Sequence, residues 1–182
     1  MTALPRHKLT VDEFLAWTEK VPGRFELLHG QVYQMPAERT RHGRVKFKMQ
    51  MALENAINSA GLDCHMLPDG ALVRVPDNGA FEPDALVYSG PRLPGDDIEV
   101  PNPIIIVEVG SPSTRSWDET YKFTGYFQIP SVQHYLLVDP EKMPVIHHAR
   151  LPDGTILTRM VSSGTIVMTP PGIEISVDGL LD

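Results

Sequence analysis

The strongest constraint on the fold is a β-branched run with a charge inside it, Ile104-Ile105-Ile106-Val107-Glu108-Val109. An unbroken apolar run of this length, rather than an alternating one, marks a strand covered on both faces. A strand of that kind needs neighbouring strands and two covering layers, so the chain must build a sheet with helices or further strands packed against it. The glutamate in the middle is the anomaly. A buried carboxylate is costly unless a cation or hydrogen-bond donors compensate it.

The rest of the chain supplies those layers. Thr10-Val11-Asp12-Glu13 has the capping-box spacing and predicts a helix to about Lys20, ended by Pro22-Gly23. Two short apolar runs around His29-Gly30 predict a β-hairpin over residues 25 to 35. Val45, Met49, Ala52, Leu53, Ala56, Ile57 and Ala60 fall on one helical face, with Gly61 as the stop. Strand-like segments follow from Cys64 to Val75, interrupted at Pro68-Asp69-Gly70, and from Asp84 to Tyr88. Ser116-Trp117-Asp118-Glu119 predicts a further helix to about Gln128, and His134 to Val138 a second buried strand. A helix between two buried strands implies a crossover and a parallel pair. Short strands are expected after Pro140, near residues 145–150, 155–161, 166–168 and 174–177. The expected architecture is one α/β (mixed α+β) domain over residues 1–182, a central mixed sheet flanked by helices, with extra antiparallel strands at the C-terminal end.

A second acid is placed to join Glu108. Asp84, in Glu82-Pro83-Asp84-Ala85-Leu86-Val87, sits at the mouth of another apolar strand. If the two strands are neighbours, both carboxylates address one spot. An oxygen-only pair suits Mg²⁺ or Mn²⁺, which keep several waters and phosphate oxygens. Lys122, fourteen residues after Glu108, could then orient water or stabilise developing charge. The structural alternatives are a core glutamate satisfied by an arginine, an aspartate that starts a strand, and a lysine paired with Asp118 one turn away.

Charge and cysteine content narrow the partners. Sixteen basic against twenty-three acidic residues give a net charge of −7, which disfavours nucleic acid on average. Yet Arg39, Arg41, Arg44, Lys46 and Lys48 crowd one stretch. At 100° per residue, Arg41, Arg44 and Lys48 lie within about 60° of one another on the helix and could grip one phosphate chain. His42 is a further phosphate or capping candidate. The single cysteine, Cys64, excludes an internal disulfide and a thiolate zinc site. With no apolar leader or membrane span in the sequence, the expectation is a cytoplasmic protein that does not enter a membrane. His147 and His148, adjacent on a strand, point to opposite faces and read as structural.

Several of these stretches together resemble a known family. Phe25-Glu26-Leu27-Leu28-His29-Gly30-Gln31-Val32, Met35-Pro36 and His42, then Pro83-Asp84, then Ile106-Val107-Glu108-Val109-Gly110-Ser111-Pro112-Ser113-Thr114 carry the likeness. Asp118, Lys122, Tyr126 and Tyr135-Leu136-Leu137-Val138-Asp139-Pro140 continue it. Over roughly residues 10 to 180 the chain resembles the Uma-type family of restriction endonucleases, within the PD-(D/E)XK nuclease superfamily. The resemblance implies a restriction-endonuclease-like fold, Mg²⁺-dependent cleavage of DNA and a homodimer. It also implies Asp84 and Glu108 as metal ligands, Lys122 as the catalytic lysine and Glu26 as an upstream acid. One departure is notable: the superfamily's lysine stands two residues after the second acid, where this chain has Gly110. Two other activities fit the same acids: a nuclease fold that has lost turnover and only binds, or a hydrolase of small phosphate or nucleotide substrates.

Overall fold

The structure, a computed structural model, describes residues 4–110 and 118–181, and the side chains of 118 and 119 are outside that description. The capping box expected at Ser116 to Glu119 and the turn residues Ser111, Ser113 and Thr114 therefore lie outside the described residues.

Helix α1 (Val11–Thr18) starts as its sequence dictates. Thr10 accepts from the Glu13 amide while the Glu13 carboxylate returns to the Thr10 amide. The helix stops two residues short of the expected Lys20. Strands β1 (Phe25–Leu28) and β2 (Gln31–Gln34) form the expected hairpin. Its two-residue turn needs left-handed backbone at both positions, and His29 (φ 49°) and Gly30 (φ 82°) supply it. Helix α2 (Thr40–Ala60) is the longest and ends at Gly61 with φ 62°.

Three short strands follow: β3 (Cys64–Pro68), β4 (Val73–Val75) and β5 (Gly79–Phe81). After β6 (Ala85–Ser89) comes the constraining run, now β7 (Pro103–Val109). Helix α3 (Asp118–Phe127) crosses over to β8 (His134–Asp139), which lies parallel to β7 as expected. The C-terminal part is β9 (Lys142–Arg150), β10 (Ile156–Val161), β11 (Thr165–Met168) and β12 (Ile173–Ser176).

The strands form a six-stranded mixed sheet in the order β10-β9-β8-β7-β6-β3, a four-stranded sheet β2-β1-β5-β4 and the hairpin β11-β12. β7 is thus central, hydrogen-bonded to β6 on one side and β8 on the other. One face of the large sheet (Val87, Ile105, Val107, Leu136) packs on Val45, Met49, Leu53 and Ile57 of α2 and on Ile166 to Ile175 of the terminal hairpin. The other face (Leu86, Ile106, Tyr135) packs on α3 and the edge of the small sheet, through Tyr126, Val75 and Phe81. The small sheet is the part the sequence reading missed. Pro76 to Gly79 reads as a turn, and it is one, with Asp77 and Asn78 at positive φ. The turn feeds β5, only three residues long, whose sequence has too few positions to show a period.

Candidate functional site

Asp84 is positioned by the end of a strand. Pro83 has no amide to continue the ladder, so β6 pairing stops there. The Asp84 amide still donates to the Val107 carbonyl at 3.0 Å. Its side-chain Oδ2 then accepts from the Val109 amide at 2.6 Å, as a backbone carbonyl would in a continuing strand. The Asp84 carboxylate therefore lies near the plane of the sheet, directly beside the residue that follows Glu108. The strands carrying the two acids are antiparallel neighbours, with Ala85 opposite Val107.

Glu108 leaves β7 on the α3 face. Its Oε1 accepts from the Tyr126 hydroxyl at 2.9 Å and lies 3.2 Å from Lys122 Nζ. Lys122 also reaches Glu26 Oε1 on β1 at 2.8 Å, and the same oxygen accepts from the Glu82 amide at 3.0 Å. Lys122 can approach this closely because α3 sits low on the small sheet at Gly125. A Cβ there would lie 3.2 Å from Val75 and 3.3 Å from Phe81. The ammonium also stands 5.5 Å above the centroid of the Phe81 ring.

A second ammonium arrives from the opposite layer. Lys46 of α2, 4% exposed, lies 2.8 Å from Asp84 Oδ1 and 2.9 Å from Asp69 Oδ2, and it also pairs with Glu38. Gln50, one turn along α2, donates to the Asp84 carbonyl at 2.9 Å. Arg24 closes the network through Glu82 (2.6 Å), Asp69 (3.0 Å) and Glu38 (3.3 Å). Three cations (Arg24, Lys46, Lys122) thus face six carboxyl groups (Glu26, Glu38, Asp69, Glu82, Asp84, Glu108), an imbalance of three charges when all are ionised.

The imbalance shows in the ionisation of the two acids. Burial pushes Glu108 up to about 8; Lys122 and the Tyr126 hydroxyl oppose that shift, while Asp84 and Glu26 add to it. Burial also raises Asp84, against Lys46, the Val109 amide and Lys122. For Lys46, burial disfavours the charge, but Asp84, Glu38 and Asp69 outweigh it and hold the ammonium above its ordinary value. Burial raises the Tyr126 hydroxyl, and the Glu108 and Glu26 charges raise it further, so it stays a donor.

Among the described residues no three His, Cys, Asp or Glu side chains gather into a metal cage. The donor set at the strand ends is two carboxyls, which matches the sparse protein ligation of Mg²⁺ or Mn²⁺ rather than a zinc or calcium cage. The hydrogen bonds to Glu108 among the described residues converge on Oε1, leaving Oε2 as its oxygen for a ligand.

The expected nucleic-acid residues are arranged differently from the helical-wheel expectation. Arg41 pairs with Glu141, and Lys48 donates to the Gly179 carbonyl at 2.6 Å, so these two reach different elements instead of one open spot. Arg44 is exposed and His42 half-buried. Lys46, counted in the basic stretch expected to hold a DNA backbone, turns inward. It follows Val45 on the apolar side of α2, and only Asp84, Glu38 and Asp69 make its burial tolerable. Sequence reasoning also missed Arg24, Glu82 and Gln50 as parts of the cluster. The clue available was Glu82 itself, a second acid beside Pro83-Asp84 in an apolar setting.

With the geometry in view, comparisons with known proteins place the chain. Residues 11–178 match the family model described as "Uma2: Putative restriction endonuclease". The chain belongs to the Uma2 family. Two Synechocystis relatives, both described as uncharacterized proteins (slr1290 and sll1609), are 26% and 28% identical. The first alignment covers 96% of this chain and 92% of the relative, the second 80% and 82%. A crystal structure from Anabaena variabilis, described as a putative nuclease belonging to DUF820, superposes with a TM-score of 0.70 at 17% identity, covering 95% of this chain and 97% of that one. That likeness establishes the shared fold, in which the Uma2 member described here keeps the mixed sheet and its flanking helices. No helix among its described residues is long and apolar enough to cross a membrane.

Proposed function

We propose that this Uma2 protein is a divalent-metal-dependent DNA endonuclease, with Asp84 and Glu108 as the ligands of Mg²⁺ or Mn²⁺. The observation that carries the reading is a pair of acids at the ends of adjoining strands, near enough for Asp84 to bear on the ionisation of Glu108, in a cluster short of positive charge, with an ammonium 3.2 Å from Glu108. Family membership supports it. A divalent cation held there supplies charge neutralisation at a phosphate oxygen and Lewis acidity toward water.

The chain's own groups do the remainder. Asp84 keeps its carboxylate aimed by anchoring Oδ2 on the Val109 amide. Glu26 and Glu108 hold the Lys122 ammonium between them, where it orients the attacking water and donates to the charge that builds on the phosphoryl oxygens. Glu26 is a positioning residue in this scheme. Arg41, Arg44, Lys48 and His42, all on the first turns of α2, approach the DNA backbone beside the site, with Arg41 exchanging Glu141 for phosphate. A homodimer acting in the cytoplasm completes the reading.

Plasmid DNA incubated with Mg²⁺ or Mn²⁺ tests it. The wild type is expected to nick or cut, and Asp84→Asn and Glu108→Gln to lose on the order of 10³ in rate, the scale of removing a principal electrostatic contributor. Circular dichroism of both variants, expected to match the wild type, checks that they fold. Full activity in either variant overturns the assignment of that acid.

A further inference from the structure

We infer that Lys46 is an internal counter-cation that occupies Asp84 until a divalent metal takes its place, with Glu38 and Asp69 as the berth that keeps it afterwards. The inference rests on the metal reading above but concerns a residue which that reading does not use.

Three observations carry it. First, Lys46 and the metal would compete for the same atom. Asp84 Oδ2 is committed to the Val109 amide, so Oδ1 is the oxygen open to a cation, and Lys46 Nζ lies 2.8 Å from it. Secondly, the ammonium has somewhere to go. It already touches Asp69 Oδ2 at 2.9 Å and Glu38, so release from Asp84 costs it one contact of three and leaves it between two carboxylates. Thirdly, the two ammoniums are not equivalent. Lys122 comes from α3 and bridges Glu108 to Glu26, on the other face of the sheet; Lys46 comes from α2 and pairs instead with Asp84, Asp69 and Glu38. A lysine serving only to fasten α2 to the sheet would need Asp84 alone. Two further carboxylates, themselves shared with Arg24, form a second seat.

The physical consequence is a threshold on metal binding. Without Lys46, two raised acids and four more carboxyls would face each other with two cations, and the cluster would be poorly neutralised when metal is scarce. With it, the metal must displace an ammonium, so affinity is reduced by the strength of one partly buried ion pair.

Calorimetric titration of Mn²⁺ into the full-length protein and into Lys46→Met tests this without any activity assay. Mn²⁺ is expected to bind Lys46→Met about tenfold more tightly, the ratio that corresponds to ~1.4 kcal/mol of ion pair no longer broken. Wild-type binding with unchanged or weaker affinity in the variant overturns the role of Lys46 and leaves the metal reading standing. Absence of binding to either protein overturns the metal reading, and this inference with it. A crystal structure of the wild type soaked in Mn²⁺ gives a second readout that does not depend on the variant's folding. Lys46 Nζ is expected to have left Asp84 Oδ1 for Glu38 and Asp69; an ammonium still at hydrogen-bond distance from Oδ1 beside bound Mn²⁺ refutes displacement.

Discussion

The central sheet buries polar groups at two places, and they solve the problem of burial in opposite ways. Near the start of β8, His134 and His147 pack together, each 2% exposed. His134 Nε2 lies 2.8 Å from the Pro170 carbonyl and so carries a hydrogen; its Nδ1 then accepts from His147 Nε2 at 3.0 Å. Burial holds both imidazoles below their ordinary value, His147 at about 4. That pair is neutral, with His147 donating to His134 and His134 donating onward to the Pro170 carbonyl. Near the ends of β6 and β7, Asp84 is buried and the Glu108 side chain is 14% exposed, and the two belong to a cluster of six carboxyls and three cations. Burial alone therefore does not mark a site. What separates the two places is whether burial leaves neutral groups, as at the histidines, or a cluster in which carboxyls outnumber cations.

The sharpest way to break this contrast is at Lys122. If the charged end were as purely structural as the histidine end, Lys122→Met would destabilise the fold and change nothing else. The proposed chemistry expects a fall of roughly 10²–10³ in kcat with KM little altered, since the lost interaction is one made to developing charge. Single-turnover cleavage measured beside thermal melting separates the two outcomes. A kcat within about threefold of wild type would move Lys122 into the structural category.

The histidine end has its own test, in pH. The folded pKa of His147 is depressed, so the folded state binds fewer protons than the unfolded chain between about 4 and 6.5. The associated stability is present above pH 6.5 and is lost as pH falls toward 4. The loss is about 3 kcal/mol at most, or up to about 10 °C in Tm for a chain of this size. His147→Gln keeps an amide donor for His134 but does not titrate. It is expected to flatten the Tm profile between pH 6.5 and 4, and a profile that keeps the wild-type slope would assign the acid sensitivity elsewhere.

Much of this contrast was legible in the sequence, and what was not has a physical reason. Glu108 and Asp84 stood out because a charge in an apolar run violates local pattern, and a violation is visible without knowing what lies nearby. The parallel pair β7–β8 followed from the helix between two buried runs. Lys46 was invisible for the converse reason. In a stretch with Arg39, Arg41, Arg44 and Lys48, one more lysine violates nothing, and only the rotation of α2 against the sheet decides that position 46 faces Asp84 while Arg44 faces solvent. Arg24 and Asp69 come from a strand edge and a turn far apart in sequence, and no period links them. The small sheet, too, exists only through pairings between short strands.

The smallest effect is expected at Tyr126, and it probes how the charged end is tuned. The ring is fully buried, packed edge-on to Phe81 with centroids 5.5 Å apart and against Tyr135. Tyr126→Phe keeps that packing and removes one hydroxyl, the donor to Glu108 Oε1. Stability should change by about 1 kcal/mol, because Glu108 Oε1 keeps Lys122 as a partner and is not orphaned. Ionisation should change as well. The hydroxyl is one of the two groups opposing the rise of Glu108, so without it the carboxyl holds its proton more firmly. A metal binding through Glu108 must displace that proton, and near pH 7 the affinity of Tyr126→Phe for Mn²⁺ should fall a few-fold, an effect of about 1 kcal/mol. The deficit should shrink as pH is raised past 8, where the wild-type carboxyl has already ionised. A deficit that stays constant from pH 6.5 to 9 would mean that Tyr126 shapes the site by packing and not through the proton on Glu108.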